Sequence, residues 1–127
     1  MMDFLTLDAY WDNPDREPFI IRVDGELAGF ALVKKGVGGA PHQIGEFFVM
    51  AKFGGKGVGR AVAVDIFDRF PGHWLIHEMW NNYKAQAFWR GVINGYTNGH
   101  YEEYYDERRR PFQKFNTAAR DPAPPLS

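Results

Sequence analysis

Between residues 47 and 63 the chain reads Phe47-Phe48-Val49-Met50-Ala51-Lys52-Phe53-Gly54-Gly55-Lys56-Gly57-Val58-Gly59-Arg60-Ala61-Val62-Ala63. An apolar strand-like run passes through four glycines and straight into a helical pattern. Glycine accepts positive φ and lets a ligand approach the main chain closely. The first turn of a helix leaves N–H groups unpaired at the positive end of its dipole. Strand, tight turn and helix in this order therefore make a concavity suited to an anion, framed by Gly54, Gly55, Gly57 and Gly59. Lys56 and Arg60 supply positive charge. The alternative is an ordinary strand-to-helix turn rich in glycine.

Two common phosphate loops do not fit the spelling. A Walker loop requires Ser or Thr after its Gly-Lys to reach magnesium, whereas Lys56 is followed by Gly57. A dinucleotide fingerprint needs Gly-x-Gly-x-x-Gly and an acidic residue about 20 positions beyond. Glu78 lies near that distance, but the glycine spacing is wrong.

The rest of the chain frames this turn. Phe19-Ile20-Ile21-Arg22-Val23, the hairpin signal Asp24-Gly25 and Leu27 to Val33 predict an antiparallel pair. A glycine-rich loop then leads to a strand from His42 to Met50. Its run at Phe47-Phe48-Val49-Met50 is too apolar to alternate, which predicts a central strand buried on both faces. Apolar residues at 58, 62, 66 and 70 predict a helix ended by Pro71-Gly72. A strand over 74–79 follows, then a helix capped by Asn82 and closed at Asn94-Gly95. The segments 96–105 and 111–116 read as a closing hairpin. Phe4, Leu5, Leu7 and Tyr10-Trp11 suit one or two helical turns before Asn13-Pro14, so residues 1–15 read as a truncated helix.

The length of 127 residues fits one domain over 1–120, followed by a proline-rich tail over 121–127 expected to be disordered. A net charge of −1 argues against a general nucleic-acid binder. No apolar run approaches the roughly 18 residues of a membrane helix. Without cysteine there is neither a disulfide nor a thiolate nucleophile, and with no signal-like start the expected compartment is cytoplasmic. His42, His73, His77 and His100 show no recurrent ligand spacing, so no metal is expected. His77 is expected to point inward, with Trp80 and Asn81 just beyond it.

The glycine segment resembles the coenzyme A loop of the GNAT N-acetyltransferases, (Arg/Gln)-x-x-Gly-x-(Gly/Ala) after a strand ending in Val, here Val49. A second block, Trp74-Leu75-Ile76-His77 followed by Asn82-Tyr83-Lys84-Ala85-Gln86-Ala87-Phe88-Trp89, matches that family's Asn-x-x-Ala-x-x-Phe-Tyr. The resemblance spans roughly Pro18 to Ile93. It implies an α/β fold with a mixed, mostly antiparallel central sheet flanked by helices, here with the first strand and first helix largely missing. A missing edge strand invites pairing with another chain, which predicts a homodimer.

The resemblance further implies acetyl-coenzyme A as co-substrate, in a cleft where the central strand splays from the strand at 74–79. Val49 and Ala51 would offer main-chain groups to the pantetheine arm, residues 55–60 their amides to the pyrophosphate, and Asn82 a contact from the following helix. Gly54 stands where the motif carries Arg or Gln, so one phosphate contact is lost; Lys52 is either its substitute or a solvated surface charge. Acetyl transfer needs a base, and Glu46, three residues before Val49 among apolar neighbours that would raise its pKa, is the candidate. Its other reading is a charged residue paired with Lys or Arg at a strand start. Trp89 occupies the family's tyrosine position and cannot protonate a thiolate, leaving Tyr83 and Tyr96 as possible substitutes. The expected activity is therefore acetyl transfer to the amine of a small molecule or peptide. A non-catalytic coenzyme A-binding module, acting as sensor or partner domain, and a small α/β interaction domain without coenzyme stand as alternatives.

Overall fold

The computed structural model describes residues 5–9 and 15–120, with Leu7 the only residue of the first strand whose side chain is described. The chain falls into two compact units, Met1–Phe70 and Pro71–Ser127.

The first unit is a four-stranded antiparallel sheet in sequence order: β1 (Leu5–Ala9), β2 (Arg16–Val23), β3 (Glu26–Lys34) and β4 (Gln43–Val49). The β2–β3 turn is the expected one, with Asp24 and Gly25 at φ 52° and 79°, as a two-residue hairpin turn of the primed kind requires. Strand alternation buries Phe19, Ile21 and Val23 of β2 with Ala31 and Val33 of β3. A short 3₁₀ turn over Ala51–Phe53 links β4 to α1 (Val58–Arg69), whose Val58, Val62, Ala63, Ile66 and Phe67 are buried. The end of this helix is fixed to β2: Phe70 meets Phe19 edge-on at 6.1 Å, and the Arg69 guanidinium lies over the Phe19 ring.

The second unit is a three-stranded antiparallel sheet in the order β5 (His73–His77), β7 (Pro111–Asn116), β6 (Glu102–Tyr105), with α2 (Tyr83–Thr97) joining β5 to β6. Trp74, Ile76, Gln113 and Phe115 are buried, and Phe115 meets Tyr96 of α2 edge-on at 6.0 Å. A further 3₁₀ turn over Thr117–Ala119 follows β7.

Three expectations are corrected. Residues 5–9 form a strand rather than a helix, because Leu5-Thr6-Leu7-Asp8-Ala9 alternates with period two and pairs along β2, Leu7 opposite Ile21. The first strand is thus present, and it covers the β2 edge that motivated a homodimer. β4 is the edge of its described sheet, pairing with β3 alone, and is not buried on both faces, since Phe48 is 49% exposed. Its apolar run instead puts Phe48 beside Phe30 of β3 on the open face, ring centroids 5.6 Å apart. Finally, α2 runs through Asn94-Gly95 to Thr97, because Ile93, Tyr96 and Thr97 continue its buried stripe. The stop is the next Asn-Gly, with Asn98 and Gly99 both at positive φ. The stretch 96–101 accordingly lies outside the hairpin, whose first strand is only Glu102–Tyr105. The tail over 121–127 lies outside the described residues.

Among the described residues no helix is long and apolar enough to cross a membrane.

Candidate functional site

The glycine segment folds as a turn over 54–57 that delivers the chain into α1. Gly55 and Gly57 sit at φ 73° and 79°, a left-handed backbone that side chains rarely adopt. Gly57 is the N-cap of α1, and it carries no side chain to satisfy the first-turn amides. No acidic residue stands in that first turn. Val58 is buried and anchors the helix, Gly59 is half-buried, and Gly54, Gly55, Lys56, Gly57 and Arg60 are exposed. Neither Lys56 nor Arg60 has an ion-pair partner among the described residues. The N–H groups of residues 58–60 thus stand at the positive end of the dipole, with Lys56 and Arg60 close in sequence and no counter-anion from the described residues. Lys52 is engaged elsewhere, bound to Glu26 at 2.5 Å.

The strand leading into the turn is held tightly to its neighbour. Val49 lies opposite Gly29 of β3, and the Met50 N–H donates to the Ala28 carbonyl at 2.7 Å. A Cβ at Gly29 would fall 2.0 Å from the Phe48 carbonyl oxygen, so only glycine permits this approach. The Ala51 carbonyl accepts from the Gly54 N–H at 2.9 Å and closes the 3₁₀ turn.

Glu46 projects from the open face of β4, opposite Leu32 of β3. It is exposed rather than enclosed, and it has no hydrogen-bond or ion-pair partner among the described residues. Together with Pro18, Phe19, Ile20, Phe30, Ala31 and Leu32 it lines an open, almost wholly apolar depression of about 460 Å³. Among the described residues of that lining its carboxylate is the only ionisable group.

In the second unit, Asn82 is the N-cap of α2: its side-chain oxygen accepts from the Ala85 N–H at 3.1 Å. Asn82→Ala is expected to cost about 1 kcal/mol through the lost cap. Thermal unfolding should register this as a fall of roughly 3–5 °C, with Asn82→Asp close to the parent. Tyr83 is 70% exposed and Tyr96 is buried at 4% exposure. Trp89 is buried against Phe88, rings edge-on at 4.9 Å. His77 does not point inward: it is exposed and stacked on Phe112 at 4.9 Å.

A cluster in this unit has no counterpart in the sequence reading. Gln113, wholly buried on β7, donates from Nε2 to Glu78 Oε1 at 3.0 Å and to Glu103 Oε1 at 2.9 Å. Arg90 of α2 grips both oxygens of Glu103, at 2.8 and 3.0 Å, and reaches the Tyr105 hydroxyl at 3.0 Å. The Arg90 hydrogen bond holds the Glu103 carboxyl below the usual carboxylate range. Burial pushes Glu78 up to about 7, against the opposing hydrogen bond from Gln113 and the charge of Arg90. The only sequence signal is a glutamate just beyond an apolar strand. Its partners Gln113 and Glu103 lie 35 and 25 positions further on, with no motif linking them.

Among proteins of curated function no relative matches the chain. Solved structures match its fold at low identity. An acetyltransferase from Thermus thermophilus is 17% identical with a TM-score of 0.65, over 82% of this chain and 66% of that one. A Bacillus subtilis acetyltransferase in complex with CoA is 10% identical with a TM-score of 0.66, over 89% and 99%. The ribosomal-protein-S18-alanine N-acetyltransferase of Escherichia coli is 16% identical with a TM-score of 0.61, over 84% and 72%. This chain therefore spans about two thirds of the Thermus protein's length. The model of one sequence family matches residues 2–92, a stretch that takes in the whole glycine turn, Glu46 and the Asn82 block. On that match the chain belongs to the acetyltransferase (GNAT) family.

Proposed function

We propose that this chain binds acetyl-coenzyme A through the 54–60 turn and transfers its acetyl group to an amine by direct attack. The observation that carries the reading is the start of α1: uncapped, free of acidic residues, entered through left-handed glycines and flanked by Lys56 and Arg60, which have no ion-pair partner among the described residues. Such a terminus accepts a phosphate or pyrophosphate without displacing any of the described residues. Family membership and the fold shared with a CoA complex support coenzyme A as the anion's carrier. Val49 and Ala51 lie directly before the turn, where main-chain groups would meet the pantetheine arm.

Within this proposal Glu46 receives the proton that the amine loses as nitrogen attacks the thioester carbonyl. Its apolar surroundings suit an acceptor that presents an amine on an apolar body. An ammonium drawn to Glu46 would be desolvated by the lining and, once it has passed one proton to solvent, is nucleophilic. The thiolate leaves and takes up a proton from solvent, while Glu46 returns its own to solvent. Trp89 offers no acidic hydrogen for that step, since an indole N–H does not ionise at neutral pH. That residue is what favours the second reading, a module that binds coenzyme A without turnover. Release of free thiol from acetyl-coenzyme A on adding primary amines distinguishes the two. Amine-dependent release supports transfer, whereas tight coenzyme binding with no release for any amine or peptide supports the module.

A further inference from the structure

Two buried side-chain polar atoms in the described residues lack a hydrogen-bond partner: Glu78 Oε2 and Gln113 Oε1. They belong to the two residues already joined by the Gln113 Nε2 to Glu78 Oε1 bond, in a site where Glu78 is 5% exposed and Gln113 is fully buried. Leaving both unsatisfied costs a desolvation penalty twice over. Rotating the Gln113 amide does not relieve it. That would turn Oε1 toward the carboxylate of Glu103, which Arg90 keeps ionised, so Glu103 fixes Nε2 where it stands.

A proton on Glu78 Oε2 would supply the donor that both orphaned oxygens lack. A neutral Glu78 carboxyl is a donor through Oε2–H, and a carboxamide and a carboxylic acid pair reciprocally: amide N–H to acid carbonyl, acid O–H to amide carbonyl. We propose that Glu78 and Gln113 form a proton-requiring acid–amide pair that ties the end of β5 to β7 and makes the second unit sensitive to pH. Among the described residues no other group of the site supplies the missing donor. Among the described residues, the charged and titratable groups around the pair are Glu103 and Tyr105 from β6 and Arg90 from α2. Arg90 is committed to Glu103 and Tyr105, and Asp106 and Arg110 in the β6–β7 turn are bound to each other. Burial raises the Glu78 carboxyl to about 7, in keeping with a proton retained near neutrality.

The pair stands beside a turn of consequence. The Glu78 N–H donates to the Pro111 carbonyl, and Gln86 of α2 donates to the carbonyls of Met79 and Trp80. Met79 and Trp80 on the β5–α2 connection that these bonds hold, and Tyr83 at the start of α2, are all more than half exposed. Loss of the proton leaves both oxygens buried without a donor, and the connection loosens.

The sign follows from linkage. A carboxyl whose folded pKa exceeds its unfolded value contributes full stability below the unfolded pKa and loses it as pH rises through the folded one. The window here runs from about 4.5 to about 7. Carboxyl-carbon NMR titration of the full chain, with thermal unfolding of the parent and Glu78→Gln from about pH 5 to about pH 8, tests the pair. Glu78 should titrate at least about one unit above 4.5, the ordinary value for a glutamate. Gln in its place keeps the reciprocal pair at every pH, so Glu78→Gln should lose markedly less Tm than the parent across that range. An ordinary Glu78 titration, or an unchanged Tm slope in the variant, overturns the proposal. If Glu78→Gln fails to fold, the titration of the parent alone decides.

Discussion

Gly57→Glu is expected to weaken acetyl-coenzyme A binding by at least about 100-fold, or roughly 2.7 kcal/mol. Gly57 is the N-cap of α1, and a Cβ built there meets nothing within 4 Å, so the new side chain enters open space. Its carboxylate would occupy the position proposed for the pyrophosphate, accepting from the first-turn amides and neutralising Lys56 or Arg60. The structural cost is confined to left-handed backbone at φ 79°, about 1–2 kcal/mol for a residue with a side chain. Gly57→Asn separates strain from charge, because asparagine tolerates this conformation and adds no anion. It should bind within about tenfold of the parent, a loss of no more than about 1.4 kcal/mol. Calorimetric titration of both variants, with unfolding curves to confirm that they are folded, reads the difference. Equal affinity in Gly57→Glu and the parent would remove the phosphate site from the turn.

Glu46→Gln is expected to lower kcat by about 10²- to 10³-fold if its carboxylate is the base, with coenzyme affinity within about twofold of the parent. The side chain projects from β4 into the apolar depression and carries no hydrogen bond among the described residues that its loss would break. Stability should therefore be almost unaffected. A fall in turnover without a change in coenzyme binding places Glu46 at the acceptor. A kcat that stays constant while KM rises would instead make it a binding group for the ammonium.

The glycine turn is legible in the sequence because its physics is local: positive φ at Gly55 and Gly57, and a helix start at Val58, follow from neighbouring residues. The Asn82 cap and the Asp24-Gly25 hairpin are legible for the same reason. β1 is ambiguous because five residues satisfy a helical and an alternating pattern almost equally, and pairing with Ile21 decides between them. β4 misleads because an apolar run does not reveal whether its outer face is covered. At the end of α2, two Asn-Gly pairs four residues apart offer the same stop signal, and burial of Tyr96 and Thr97 selects the second. The Glu78–Gln113–Glu103–Arg90 cluster draws on the end of β5, on β7, β6 and α2, so nothing short of the tertiary fold brings it together.

The proposed coenzyme site is tested most directly by isothermal titration calorimetry of the unmodified chain with acetyl-coenzyme A, coenzyme A and ATP. Saturable binding of both coenzyme forms at micromolar concentration, with ATP at least about tenfold weaker, is the expected result, the tenfold corresponding to about 1.4 kcal/mol. Absence of binding in protein shown to be folded, or equal binding of ATP, would contradict the assignment of the turn to coenzyme A.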